Sequence, residues 1–104
     1  MKYRLSILPA AAADVDAAAL FIARDNLSAA LRFYDAVDKT YRQIREHPGR
    51  WPQYELDHPR LIELRKCAVA GFTRFLVFYR IEARTVLVLR VLHGARDIPS
   101  VLEE

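Results

Sequence analysis

Two β-prone runs lie almost end to end in the last third of the chain: Phe72 to Ile81 and Thr85 to His93, with only Glu82, Ala83 and Arg84 between them. A connection that short leaves no room for a crossover, so the two runs pair antiparallel as a hairpin. Leu61 to Val69 precedes them and reads as a further strand, with Ala70 and Gly71 as its turn. Whatever fold the chain adopts has to cover the apolar face of this unit.

The first half of the chain supplies the cover. Tyr3, Leu5 and Ile7 alternate with Lys2, Arg4 and Ser6, so Lys2 to Leu8 reads as a half-buried strand, ended by Pro9. Ala10 to Arg24 reads as a helix with Val15, Ala18, Ala19 and Ile22 on one face. Asn26 or Ser28 can cap a second helix that runs to about Glu46. Its stripe is Ala30, Phe33, Val37, Tyr41 and Ile44, widened by Leu31 and Tyr34. Two helices joined so tightly pack as an antiparallel pair. His47 to Pro59 is irregular, with Trp51 and Tyr54 as apolar anchors and His47 and His58 at the surface. After the hairpin, His93 to Asp97 forms a polar exit, and Asp97 can cap a last helical turn over Pro99 to Glu103, packed down by Ile98 and Val101. The order β-α-α-β-β-β predicts an α/β (α+β) two-layer domain: an antiparallel sheet of about four strands with a helical hairpin on one face.

At 104 residues the chain makes one domain able to bury a core without disulfides or metal. A hydrophobic share of 53% argues against disorder. The net charge of +3 permits an acidic or nucleic-acid partner without requiring one. Cys67 is the single cysteine, which excludes an intrachain disulfide and reads as a small buried apolar residue. No signal peptide and no apolar run of membrane-spanning length is visible, so a cytoplasmic protein is expected. Asp14 and Asp16 read as a solvated helix start rather than metal ligands. No cofactor or metal motif is present.

Parity assigns the faces. Phe75, Val77 and Tyr79 fall with Leu87, Leu89 and Val91, joined by Ile62 and Leu64, and this face belongs under the helices. The opposite face receives Glu63, Arg65, Cys67, Arg74, Leu76, Phe78, Arg80, Val88, Arg90 and Leu92. No segment is left over to cover it. Like charges on neighbouring strands are costly unless an anion shares them, so Arg65, Arg74, Arg80 and Arg90, with Leu76 and Phe78, form the expected partner-binding face.

These residues carry a resemblance. Ile7-Leu8-Pro9-Ala10 closes the first strand and Ala13-Asp14-Val15 opens helix one. Ile22-Ala23-Arg24-Asp25-Asn26, Ala29-Ala30-Leu31-Arg32-Phe33, His47-Pro48-Gly49, Arg65 and Phe78-Tyr79-Arg80-Ile81 follow, and the series closes on Val91-Leu92-His93-Gly94-Ala95-Arg96-Asp97. In order and spacing the chain resembles the ParE/RelE superfamily of toxins from type II toxin–antitoxin systems, and most closely its ParE-like, plasmid-stabilisation branch. The resemblance implies a first strand lying beside the last. It also implies a cognate antitoxin, ParD-like or of another ribbon-helix-helix type, held in a hetero-oligomer. DNA gyrase would be the target and blocked replication the outcome.

The resemblance also carries an alternative: a RelE-like, metal-independent endonuclease that cuts mRNA on the ribosome. Arg65, Arg74 and Arg90 would then hold phosphate, and Glu63 or His93 would move protons. The set is incomplete, since Lys66 is the only lysine after Lys39 and no C-terminal tyrosine matches. His93 falls by parity on the core side, where it orders the exit loop. Arg96 is expected to pair with Asp97 or a carboxylate on helix one. A non-toxic binding module of the same fold is the third reading.

Overall fold

Residues 3–54 and 63–102 are described in a computed structural model. Expectations at Lys2, His58, Pro59, Leu61, Ile62 and Glu103 lie outside these residues. The elements run β1 (Arg4–Ile7), α1 (Pro9–Ala23), α2 (Leu27–Glu46), a 3-10 turn (Pro48–Arg50), β2 (Arg65–Val69), β3 (Phe72–Glu82), β4 (Thr85–His93) and α3 (Ile98–Leu102). The sheet order is β1-β4-β3-β2, so the first strand does lie beside the last. Neighbours pair antiparallel except β1 and β4, which are parallel.

Local chemistry accounts for the element ends. Pro9 opens α1, where its fixed φ suits a helix and its missing amide is not needed. Asn26 is extended and its side chain accepts from the Ala29 amide at 3.0 Å, capping α2. Buried Thr40 donates to the Ala36 carbonyl and accepts from the Ala70 amide at 2.9 Å, which pins the β2–β3 turn to α2.

The helical hairpin packs on one sheet face. Ala11, Val15 and Ala19 of α1 and Phe33, Val37, Tyr41 and Ile44 of α2 are buried against Val77, Tyr79, Val86, Val88 and Val91. Phe33 meets Phe72 and Phe75 with ring centroids 5.2 and 5.0 Å apart. Leu31 and Tyr34 do not widen this stripe: they are 61% and 40% exposed.

The other face departs from parity. Tyr79 pairs with Val88 but Phe78 pairs with Arg90, so Leu89 is an extra residue in β4. A bulge of this kind inverts the faces beyond it. Val86 and Val88, rather than Leu87 and Leu89, meet the helices because Glu82 pairs with Thr85 across a two-residue turn, and the bulge then keeps Val91 on the same side. A second register shift between Ala68 and Val69 sets Cys67 opposite Val77 and Arg65 opposite Tyr79. Cys67 thus joins the helix-side core, while Leu64 turns to the far side. That side is not open. Leu64, Phe78, Leu92 and Ile98 form a second buried cluster, with Tyr54, Leu76, Leu89, Val101 and Leu102 packed on it. Tyr54, Leu64 and the short α3 supply the cover.

Burial holds three groups protonated. The Cys67 thiol is pushed up to about 11, chiefly by burial. Burial also pushes the Tyr41 hydroxyl up to about 12, helped by Asp38 and Asp14. Burial raises Tyr79 too, and its hydroxyl donates to the Pro48 carbonyl at 2.6 Å. As pH rises the unfolded chain releases these protons first, so stability is intact below about pH 9 and falls between about 9 and 12. A melting temperature that drops through that window, with a shallower drop in Cys67→Ala, is expected. A flat profile in the wild-type protein would contradict the burial of these groups.

Candidate functional site

The four arginines expected on one face are dispersed. The half-buried Arg65 lies on the helix side and donates to the Trp51 carbonyl at 2.6 Å and the Gly49 carbonyl at 3.3 Å. Arg80 pairs with Glu82 at 2.6 Å. Arg90 starts opposite Phe78, yet its guanidinium reaches Asp14 of α1 with two bonds of 2.7 and 2.8 Å. Arg74 remains exposed. Phe78 is fully buried and Leu76 partly so, which removes both from an open partner face. Glu63 is exposed in a left-handed backbone conformation with φ 66°.

His93 lies on the helix side opposite Phe75, its ring edge-on to that phenyl at 5.1 Å. Its Nδ1 accepts from the Ala95 amide at 3.0 Å, so it does order the exit loop. Gly94 continues the ladder, its amide donating to the Arg74 carbonyl at 2.7 Å. Asp97 accepts from the Ser100 hydroxyl at 2.8 Å. Arg96 is exposed and forms no ion pair with Asp97, Asp14 or Asp16, against expectation.

Asp14 is the residue that sequence reasoning missed. β1 ends at Ile7, and the Leu8 amide makes the last link to β4 at the Val88 carbonyl. Beyond that point the outer edge of β4 has no strand. Asp14 takes over: besides the Arg90 guanidinium, it accepts the Val91 amide at 3.0 Å. Its side chain is only 11% exposed. A signal was present. Asp14 shares a helix face with Ala11, Val15 and Ala18, whereas Asp16 points away, and a carboxylate on the apolar stripe needs a partner.

Two surfaces follow from this layout. A groove of about 490 Å³ runs between α1 and the open end of β4, with Phe21 and Ala17 on one wall and His93 and Arg96 on the other. On the outside of the helical hairpin, Leu20, Leu27, Leu31 and Tyr34 are 40–70% exposed. The Tyr34 hydroxyl donates to Asp16 at 2.7 Å and ties the two helices together there. Among the described residues no group of three or more His, Cys, Asp or Glu could hold a metal ion.

The family model described as the ParE toxin of type II toxin–antitoxin system, parDE, matches residues 5–98. The chain belongs to this ParE toxin family. Among solved structures, a chain from the chromosomal ParDE toxin–antitoxin system of P. aeruginosa is similar, with a TM-score of 0.71 and 16% identity. The match covers 88% of this chain and 96% of that one. At that identity the likeness concerns the fold. No curated protein matches. Within the ParE fold found here, the closing His93-Gly94-Ala95-Arg96-Asp97 forms the corner that ends β4 and rims the groove.

The Arg65 contacts are directly testable. Hydrogen bonds from a charged donor contribute about 1.5–3 kcal/mol, so Arg65→Ala is expected to cost about 2 kcal/mol in urea unfolding. Trp51 is the only tryptophan, and its emission is expected to shift to the red as the segment loosens. Unchanged emission in the folded variant would show that Arg65 does not hold it.

Proposed function

We propose that this ParE-family chain acts by binding rather than by catalysis. In this reading it inhibits DNA gyrase, stabilises the cleaved DNA complex, blocks replication and arrests growth in the cytoplasm. A cognate antitoxin, of ribbon-helix-helix type with an amphipathic tail, neutralises it in a hetero-oligomer. Such a pair would serve plasmid or locus stabilisation.

The observation that carries an action by binding is the dispersal of the residues a nuclease would need. Arg65 is committed to loop carbonyls, Arg90 to Asp14, and the His93 Nδ1 to its own turn. General acid–base catalysis needs its groups within hydrogen-bond reach of one reacting centre. What the molecule offers instead is apolar: the outer hairpin row and the groove beside β4. Exposed apolar patches of this kind mark protein partners, and the row at Leu27, Leu31 and Tyr34 has the spacing an amphipathic helix would match.

Purified protein is expected to inhibit gyrase supercoiling and to trap linear DNA at micromolar concentration, and the product of the neighbouring short reading frame to reverse both. Neither effect at that concentration, together with transcripts cut at codons in translating cells, would replace this reading with the ribosome-dependent one. Harmless expression without any antitoxin would leave a binding module.

A further inference from the structure

β1 stands at one side of the sheet, and its outer edge meets no other strand among the described residues. The Arg4 and Leu8 amides donate to the Arg84 and Val88 carbonyls, toward β4. Alternation turns the backbone groups of Leu5 and Ile7 the other way, and no described residue bonds them there. An edge of this kind is a template for another strand.

A cavity of about 500 Å³ lies between this edge and α2, lined by Leu5 and Ile7 below and by Asp35, Asp38, Tyr41 and Arg42 above. Tyr41 is only 6% exposed, and its hydroxyl has no hydrogen-bond partner among the described residues. A buried hydroxyl left unpaired is costly. Asp35, Asp38, Arg42 and Arg45 recur every three or four positions, which sets them on one exposed stripe of α2. The stripe is acidic in its first half and basic in its second. None of the four forms an ion pair among the described residues.

A stripe that runs from acid to base matches itself when turned end for end, and so does a strand edge. Both turn about the same point, because the cavity sets the middle of β1 beside Asp38 to Arg42, the middle of the stripe. We infer that this face pairs with a second copy of the chain about a twofold axis through that point. β1 lies antiparallel to the partner's β1 with Leu5 opposite Leu5, so the two sheets become one. The two α2 helices run antiparallel on the same sheet face. Asp35 and Asp38 of each copy meet Arg45 and Arg42 of the other, and the Tyr41 hydroxyl donates to the carboxylates gathered at the seam. Exposed ion pairs add little each, but like charges opposed across an interface are costly. The stripe therefore sets the direction and register of pairing, and the joined strands supply its hydrogen bonds. Such a contact closes on itself, so assembly stops at the dimer. It goes beyond the toxin reading, since it needs neither gyrase nor an antitoxin.

Sedimentation of the purified chain, up to the high micromolar range, is expected to show a species of twice the 12.0 kDa chain mass. Two charge variants test the pairing. Asp35→Arg with Asp38→Arg makes the stripe wholly basic, and Arg42→Asp with Arg45→Asp makes it wholly acidic. Each is expected to weaken self-association at least about tenfold, and an equimolar mixture to restore a dimer that holds one of each. The Leu5 and Ile7 amides are expected to exchange more slowly in the wild-type dimer than in either variant alone. Leu20→Ser, in the exposed apolar row outside the helices, is expected to leave the dimer intact. Circular dichroism checks that each variant is folded. A wild-type chain that stays monomeric over that range, a dimer unchanged in the folded charge variants, a mixture that stays monomeric, or a dimer lost in Leu20→Ser alone would each overturn the inference.

Discussion

The Asp14 carboxylate takes three hydrogen bonds at the stretch of β4 that has lost its neighbouring strand. A strand edge that ends against a helix must find other partners for its amides, or leave them unpaired where water has little access. β1 is four residues long and cannot follow β4 past Val88. The chain turns at Pro9 into α1, and one turn later the helix returns a carboxylate to the same edge. Burying that charge is costly, and the Arg90 guanidinium offsets the cost in paired geometry. Helix, strand edge and bulge are thereby locked to one another.

The bulge at Leu89 is the second half of the same device. Arg90 immediately follows the extra residue, at the point where its side chain can reach around the open edge to α1. The bulge also keeps Val91 under the helices with Val86 and Val88 and puts Leu92 on the far side, where Leu64 and Ile98 of α3 close over it. A small sheet covered on both faces has little room for an exposed arginine cluster. That is the physical reason the basic face is absent, and why the surfaces proposed for other proteins are apolar and lie along helices and a strand edge.

The architecture was legible because its signals are local. Period-two alternation, helical stripes, Pro9, the Asn26 cap and the two short turns each mark an element within a few residues. The order of elements then leaves few ways to stack them, and the His93 to Asp97 exit pointed to the family. The site was less legible because it depends on register. A single extra residue in β4 is invisible to alternation counting, since Leu87, Val88 and Leu89 are all apolar and fit either face. A separate register shift, between Ala68 and Val69, put Arg65 and Cys67 on the side opposite to the one that parity carried across the β2–β3 turn assigns. The Asp14–Arg90 pair spans 76 positions, and no local pattern reports it, although a carboxylate on an apolar helix face was a sign that some partner existed.

A double-mutant cycle between Asp14 and Arg90 tests this account most directly. Asp14→Asn and Arg90→Met would be made singly and together, with unfolding free energies measured in urea. Residues that bond each other couple by about 0.5–3 kcal/mol, and this partly buried bidentate pair is expected near the upper half of that span, with faster exchange of the Val91 amide in both Asp14 variants. Effects that add to within about 0.3–0.5 kcal/mol, with Val91 exchange unchanged, would contradict the claim that this clamp takes the place of a strand.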